Sequence, residues 1–323
     1  MSAQRRPPRR RVDGVLLLDK PAGITSNGAL LRVKRSYNAE KAGHTGTLDP
    51  LASGLLPICF GEATKFAGFL LDAPKRYAAT VRFGIATTTQ DAEGEVVASR
   101  PVAIDRAKLL ATLQRFVGPG VQTPPMHSAL KHEGRPYYEY ARKGIDVPRA
   151  AREVTIHALS LLDWKAPDAV LDVECSKGTY VRTLAADLGE ALGCGAHLRA
   201  LRRTRTGAFD LDDAVTLAAV ESMDDAARVA ALLPIDAPLA AMPRLDLEAS
   251  AAIALAQGRN PAIAVDEGRY RIYGPNGCFV GAAQVSLGRL SAIRLVRAPD
   301  AGRACEAAVQ PVTPAPETAI RNR

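Results

Sequence analysis

The order of apolar and polar residues predicts β-strands over much of the chain. Residues 15–18 and 55–60 are short and almost wholly apolar, which is typical of buried strands. From Tyr77 to Phe83 the side chains alternate, and this predicts a half-buried strand with Tyr77, Ala79, Val81 and Phe83 on one face. Residues 152–175 predict a hairpin, and residues 197–205 predict a strongly basic strand.

Helical patterns lie between these strands. Thr25 or Ser26 can cap a helix that runs to about residue 36. Residues 62–71 and 105–117 predict two more helices, and the second is stopped by a Gly-Pro-Gly sequence. A further helix is predicted after Gly178, with apolar residues at helical spacing at Val181, Leu184, Ala185, Leu188 and Leu192.

The pattern changes near the C-terminus. Prolines at positions 234, 238 and 243 interrupt residues 231–245, which predicts a linker. Beyond it, a helix near 248–257 and short strands around 270–272, 279–281 and 293–296 predict a small β-rich module over residues 244–298. We expect residues 299–323 to be a disordered tail.

The charge is concentrated at the N-terminus. The 323 residues include 42 basic and 34 acidic ones, a net charge of +8. Five arginines fall within residues 1–11, and without that segment 37 basic residues face 34 acidic ones. Residues 1–11 are therefore expected to be a disordered, Arg-rich arm. It could contact RNA phosphates, or it could be a solvated tail with no dedicated role.

The numbers and spacings of the cysteines and histidines argue against a disulfide-bonded protein and against a zinc protein. The five cysteines are odd in number and contain no C-x-x-C pair, which argues against a disulfide framework and a zinc site. The histidines show no metal-ligand spacing either, so no metal is expected. No apolar run is long enough to cross a bilayer or to form a signal-peptide core, so we expect a cytoplasmic protein.

One loop stands apart from these elements. Residues 43–54 read Gly-His-Thr-Gly-Thr-Leu-Asp-Pro-Leu-Ala-Ser-Gly, which fits neither a regular helix nor a central strand. Gly-rich and Asp-Pro sequences commonly form surface turns. However, an apolar strand follows at once, so this loop with its single carboxylate, Asp49, is anchored on a rigid element, where chemistry is often found. A phosphate-binding P-loop is excluded because no lysine follows Gly54.

The same loop resembles the catalytic signature of the TruB-type tRNA pseudouridine synthases. Further motifs of that family are matched at residues 14–21, 61–65, 75–77 and 175–183, in the same order along the chain. The resemblance implies an α+β fold, in which a catalytic domain at 12–236 has a mainly antiparallel mixed sheet flanked by helices. It also implies that residues 244–298 form a PUA-like RNA-binding module.

The resemblance implies a reaction and a set of site residues. Uridine would be isomerised to pseudouridine at position 55, in the T loop of tRNA, without a cofactor. Asp49 would be the catalytic nucleophile or would stabilise the detached sugar, Arg182 would support its charge, and Tyr77, Tyr180 and Leu201 would hold the flipped base. His44 would support the flipped RNA, or it could simply bond to its own loop. Asp91 also matches a family position, but capping of its turn explains it equally well.

A segment at about 123–150 is dense in aromatic and basic residues, which suits RNA whose bases stack and whose phosphates need neutralising. Packing of its tyrosines on the core is the alternative, and bacterial TruB-like proteins have an RNA-gripping insertion here. The RNA-contact candidates are Lys20, Lys131, Arg135, Arg142, Lys143, Arg199, Arg202, Arg203 and Arg205.

Two other functions stay open at this point. One is an RNA-folding chaperone whose catalysis is incidental. The other is a guide-RNA-dependent relative that modifies ribosomal RNA within a complex. The insertion and the small C-terminal module favour a stand-alone, monomeric bacterial enzyme that binds the T stem-loop of tRNA.

Overall fold

The computed structural model describes residues 8–297 except Ala129 and Arg142, and it does not describe the side chains of Lys131 and Tyr138. Two compact units make up the chain, Met1–Pro238 and Leu239–Arg323. The division falls inside the stretch that we predicted as a linker.

The strands of the first unit are β1 Gly14–Lys20, β2 Ala42–His44, β3 Ser53–Phe60, β4 Lys75–Phe83, β5 Ile85–Thr87, β6 Val96–Ser99, β7 Gly118–Gln122, β8 Lys131–His132, β9 Arg135–Pro136, β10 Arg152–Lys165, β11 Asp168–Cys175, β12 Ala196–Thr206, β13 Phe209–Asp210 and β14 Val215–Thr216. Its helices are α1 Ser26–Ser36, α2 Ala67–Asp72, α3 Arg106–Arg115, α4 Tyr137–Ala141, α5 Val181–Ala191, α6 Leu217–Ser222 and α7 Asp225–Ala230. Short 3-10 helices are formed by Gly61–Lys65 and Leu211–Asp213, and another, Ala237–Leu239, lies at the unit boundary.

One large sheet organises the first unit. Its strand order is β14-β1-β3-β12-β4-β11-β10-β7, with β2 on β3 and β13 on β12. The pairs β1–β14 and β3–β12 are parallel, and the other pairs of this sheet are antiparallel. The predicted α+β class with a mainly antiparallel mixed sheet is therefore confirmed. Thr25 is confirmed as the cap of α1, since its hydroxyl accepts a hydrogen bond from the Gly28 amide.

Two hydrophobic clusters meet near the middle of this sheet. One includes apolar residues of β4, β10, β11, β12, α3 and α5. The other joins β1 and β3 to α1 and to Leu48 and Ala52 of the 43–54 loop. Tyr77 and Leu201 pack against both clusters. Tyr77 and Leu201 therefore lie where the two clusters meet, and a substrate site can be formed there.

Two predicted features differ in the structure. The helix expected at 62–71 is divided into a 3-10 turn and α2, because the amides of Phe66 and Phe69 bond to carbonyls three residues earlier. The second difference concerns the arm. Arg10 pairs with Asp225 at 2.9 Å and donates to the Tyr37 carbonyl, so the described end of the 1–11 segment joins the fold. Most of the segment, residues 1–7, lies outside the described residues, as does the predicted tail at 299–323.

The second unit is a small α/β module. It contains β15 Arg244–Asp246, α8 Ala249–Ala256, β16 Gly268–Tyr273, the 3-10 turn Pro275–Gly277, β17 Phe279–Ser286 and β18 Arg289–Leu295. The strands form one sheet in the order β15-β16-β17-β18. Leu247, Leu255, Ile272, Val285 and Leu290 are among its core residues. This is the β-rich C-terminal module that the sequence pattern predicted.

Candidate active site

The loop between β2 and β3 is fixed by hydrogen bonds along its length. The Ser26 hydroxyl, at the start of α1, both donates to the Leu48 carbonyl and accepts from the Leu48 amide, each at 2.8 Å. The Thr45 amide bonds to the Pro57 carbonyl, and the Gly23 amide bonds to the Pro50 carbonyl. Asp49 is therefore presented by a rigid support, as the apolar strand after the loop had indicated.

A buried arginine lies behind this loop. Arg203 on β12 is 1% exposed, and its guanidinium donates to the carbonyls of Leu55 and Gly46 at 2.7 and 3.0 Å. Gly54 lets the backbone of Arg203 lie close to β3, since a Cβ there would be 2.3 Å from the Arg203 carbonyl oxygen. The assignment of Arg203 as an RNA contact was wrong, because its donors are used inside the protein and it does not reach solvent.

Arg182 holds Asp49 from the first turn of α5. Its Nη2 lies 3.1 Å from Asp49 Oδ2 and also donates to the His127 carbonyl at 2.8 Å. Its Nη1 lies 3.2 Å from Asp91 Oδ2. The Arg182 side chain is 5% exposed, whereas that of Asp49 is 39% exposed. One buried cation thus joins two carboxylates, of which only Asp49 is open to a substrate.

The electrostatics of Asp49 are a balance of opposing effects. Burial raises the pKa of its carboxyl above the ordinary value. Arg182 opposes this increase, Asp91 adds to it, and Lys20 opposes it. Without the two cations the buried carboxylate would be still harder to ionise, so Arg182 supplies charge as well as position.

Asp91 combines the two roles that the sequence had left open. Its carboxylate accepts from the Thr89 hydroxyl and from the Glu93 amide, which closes the turn. It also pairs with Arg182. The neighbouring residue Gln90, at a φ of 62°, accepts from the Thr183 hydroxyl through its side chain. The turn is therefore tied to the start of α5, next to Asp49.

The aromatic candidates, Tyr77 and Tyr180, lie within electrostatic reach of Asp49. Tyr77 on β4 is the strand partner of Arg203, and burial raises the pKa of its phenol, against the effect of Arg203. Tyr180 precedes α5, and burial raises the pKa of its phenol too, with Arg152 and Arg182 acting in the other direction. The charge of Asp49 acts on both phenols. Leu201 lies on β12, two residues before Arg203.

His44 ends β2 at the entrance to the loop. Its Nδ1 is buried and has no hydrogen-bond partner among the described residues. Burial lowers the pKa of the imidazole, and Arg203 adds to the lowering. The alternative in which this ring bonds to its own backbone therefore finds no support at Nδ1.

Lys20 does not suit the role of an RNA contact. It is 0% exposed, and its ammonium donates to the carbonyls of Pro21 and Ile24 at 2.9 and 2.7 Å. Burial lowers its pKa to about 8, Asp49 opposes this, and Arg203 adds to it. The assignment of Lys20 as an RNA contact was wrong, because its ammonium is bonded inside the protein and does not reach solvent.

The remaining RNA-contact candidates differ in availability. Arg202 forms a two-pronged ion pair with Asp19, and Arg199 pairs with Asp168. Arg135, Lys143 and Arg205 are exposed. Arg142 lies outside the described residues, and so does the side chain of Lys131.

Some residues of the site carried no recognisable signal in the sequence. Gln122 on β7 accepts from the Tyr180 amide and donates to the Tyr180 carbonyl, and so fixes the backbone before α5. Ser26 was noted only as a possible cap.

Among the described residues, no group of three or more His, Cys, Asp or Glu side chains is arranged to hold a metal ion. No helix in the same part of the chain is long and apolar enough to cross a membrane.

Comparison with known families gives matches along the first unit. Residues 34–181 match the N-terminal domain of the TruB family pseudouridylate synthases, and residues 182–240 match the tRNA pseudouridylate synthase B C-terminal domain. The chain is similar to tRNA pseudouridine synthase B of Thiobacillus denitrificans, at 56% identity over 292 residues, which is 90% of this chain and 98% of that protein. For the same enzyme of Burkholderia mallei the identity is 53% over 304 residues, 92% of this chain and 98% of the relative.

Solved structures agree on the fold. A Cbf5-Nop10-Gar1 complex contains a chain that matches with a TM-score of 0.68 and 26% identity, covering 88% of this chain and 84% of that one. An H/ACA RNP bound to a substrate RNA containing 2′-deoxyuridine matches with a TM-score of 0.68 and 23% identity, covering 89% and 86%.

Proposed function

This chain belongs to the TruB family of pseudouridylate synthases, and we propose that it converts the uridine at position 55 in the T loop of tRNA, with Asp49 as the catalytic carboxylate. Isomerisation of uridine to pseudouridine in tRNA follows from relatives at 53–56% identity over about 90% of the chain, which are tRNA pseudouridine synthases. A guide-RNA-dependent enzyme is not favoured, because the relatives at 53–56% identity are named as tRNA pseudouridine synthases.

The ion pair of Asp49 with Arg182 is the observation that carries the assignment of Asp49. A partly exposed carboxylate on a rigid loop, with a buried guanidinium 3.1 Å away, can stay ionised and open to a substrate at once. A carboxylate that acts as a nucleophile has to be ionised, oriented and open to its substrate, and this arrangement supplies all three conditions.

The reaction itself conserves atoms and electrons. The bond from N1 of the base to C1′ of the ribose breaks, a bond from C5 to C1′ forms, and the proton on C5 is replaced by one on N1. Asp49 can attack C1′, add to C6 of the base, or remove the 2′ proton to give a glycal. Arg182 holds the carboxylate in place in each case, and it stabilises the ionised form that every route begins from.

The base has to leave the RNA stack before Asp49 can reach C1′. Tyr77 and Leu201, at the junction of the two hydrophobic clusters, offer an apolar surface for the extruded uracil. Tyr180 offers a second ring beside Arg182. His44, whose buried Nδ1 finds no partner within the described part of the chain, supports the rearranged loop of the RNA.

Exposed basic residues supply contacts to phosphates. Arg135, Lys143 and Arg205 are the described candidates that are solvent-exposed, and Lys131 and Arg142 stay proposals from sequence. Arg199 and Arg202 are paired with Asp168 and Asp19, but their side chains are 50% and 43% exposed, so they can add contacts to phosphate beside these ion pairs. We expect the protein to act as a cytoplasmic monomer.

The test is incubation of the purified full chain with an unmodified tRNA transcript, followed by mapping of pseudouridine. We expect one product, at position 55, and none in a transcript that carries cytidine there. Modification at another position would contradict the proposed target. Binding and refolding of tRNA without pseudouridine would instead favour the RNA-chaperone alternative.

A further inference from the structure

Arg152 is a cation beside the site to which the sequence assigned no role. It is the first residue of β10, where its strand partner on β7 is Gln122. Gln122 holds the backbone of Tyr180 through two hydrogen bonds, of 3.0 and 3.3 Å. Main-chain pairing therefore fixes Arg152 next to the residue that precedes α5 and Arg182.

The guanidinium of Arg152 lies against Tyr180. Its Cζ is 5.9 Å from the centre of the Tyr180 ring. Its Nη1 lies 3.3 Å from the point that a Cβ on Gly178 would occupy, so the glycine leaves room for it. Arg152 and Arg182 both act electrostatically on the Tyr180 phenol, as does Asp49. These groups belong to one site.

The hydrogen-bonding capacity of Arg152 is unused within the part of the chain that the structure describes. Its Nε is buried without a partner, and no described carboxylate forms an ion pair with it. Four other arginines on the large sheet pair with carboxylates: Arg76 with Asp172, Arg82 and Arg199 with Asp168, and Arg202 with Asp19. Arg205 on β12 forms no ion pair with a described residue either, but it is exposed to solvent, whereas Arg152 is half-buried.

A half-buried guanidinium without an anion is unfavourable, because it has lost part of its hydration and the Tyr180 ring supplies neither a hydrogen-bond acceptor nor a negative charge in return. An incoming anion would remove this cost. The substrate in the proposed function is RNA, whose anions are phosphodiesters. A guanidinium can donate two parallel hydrogen bonds to a phosphate, and neither lysine nor a neutral side chain reproduces that geometry.

We propose that Arg152 binds a phosphodiester directly flanking the flipped uridine, and so anchors the backbone of that nucleotide beside Tyr180. This inference rests on the proposed function. It assigns the contact to a residue outside the basic candidates of the sequence, and it limits the contact to one linkage of the RNA. If Arg152 were only part of a general basic surface, neutralising any one phosphodiester of the RNA would weaken binding to a similar extent.

The experiment compares hairpins of the T arm in which single phosphodiesters near the target uridine are replaced by neutral methylphosphonates. Binding to the full chain is measured for the wild type, Arg152→Gln, Arg152→Lys and the matched control Arg100→Gln, which loses an exposed arginine paired with Glu190. With wild type we expect one flanking linkage at which the neutral replacement weakens binding about tenfold. With Arg152→Gln that replacement should cost nothing further, whereas Arg100→Gln should behave as wild type does.

Three outcomes would overturn the inference. They are an undiminished methylphosphonate effect in Arg152→Gln, an even effect at all linkages, and unchanged binding of the unmodified hairpin by Arg152→Gln. If Arg152→Gln does not fold, as judged by circular dichroism, Arg152→Lys takes its place, and the effect at the flanking linkage should then be reduced. Pseudouridine formation by wild type on the unmodified hairpin is scored separately. The absence of product would count against the proposed function, whereas the binding data decide the role of Arg152.

Discussion

Arg182 reaches Asp49 through only one of its two terminal nitrogens. The Nη2 to Oδ2 distance is 3.1 Å, while Nη1 is 3.2 Å from Asp91. The guanidinium is shared between two carboxylates. A substitution at Asp91 should therefore affect Asp49 through Arg182.

Replacement of Asp49 by asparagine should abolish turnover and leave tRNA affinity largely intact, because it removes the charge and almost no volume. Single-turnover formation of pseudouridine, measured beside equilibrium binding, checks this. A preparation free of host enzyme that retained near wild-type turnover would remove Asp49 from its proposed role.

Arg182→Lys should lose most of the turnover with little change in RNA binding. A lysine ammonium cannot span Asp49, Asp91 and the His127 carbonyl in the way that the fork does. The measurements are single-turnover rate and affinity. A fall in affinity without a change in rate would mean that Arg182 contacts phosphate instead.

The pH dependence of the reaction should report the environment of Asp49. Because burial raises the pKa of this carboxyl, the acidic limb of the rate should lie above the ordinary value of 3.8. Asp91 adds to the increase, so Asp91→Asn should move that limb to lower pH. Glu221→Gln, which changes an exposed carboxylate on α6, is the control and should leave the limb in place. An unmoved limb in Asp91→Asn would contradict the coupling.

Arg203→Gln should reduce the free energy of unfolding by about 1–3 kcal/mol for each carbonyl that is left without a partner. The carbonyls concerned are those of Leu55 and Gly46. Arg199→Gln on the same strand removes an exposed pair with Asp168 and should change the stability by about 0–1 kcal/mol. Urea unfolding distinguishes the two, and equal losses would mean that burial does not set the role of Arg203.

Loss of single exposed charges should affect binding more than chemistry. Arg135→Gln, Lys143→Gln and Arg205→Gln should each lower the log–log salt slope of binding by about 0.7–0.9 if one phosphate contact is lost. Single-turnover rates at saturating RNA should be nearly unchanged.

A T-arm hairpin should remain a substrate, and a correctly folded but inert hairpin would show that the whole tRNA body must be read.

The sequence by itself determined the longer elements of the first unit and the family. The local pattern of apolar residues was enough for β1, β3, β4, α1 and α5, since the periods of strands and helices are set by backbone geometry. The loop at 43–54 was recognisable because its glycines, its proline and its single carboxylate restrict the backbone locally. These features depend on neighbours in the chain, and the sequence contains them directly.

Only the tertiary structure decided which charges are available. Arg199, Arg202 and Arg203 lie on one strand and look equivalent in sequence, yet Arg203 is buried under the loop while the other two face carboxylates. Arg152 was passed over because nothing beside it in the chain marks it. A charge is accessible or not according to which strand and which loop pack on it. Those contacts join residues far apart in the chain, such as Asp49, Asp91 and Arg182, and arise only when the sheet is assembled.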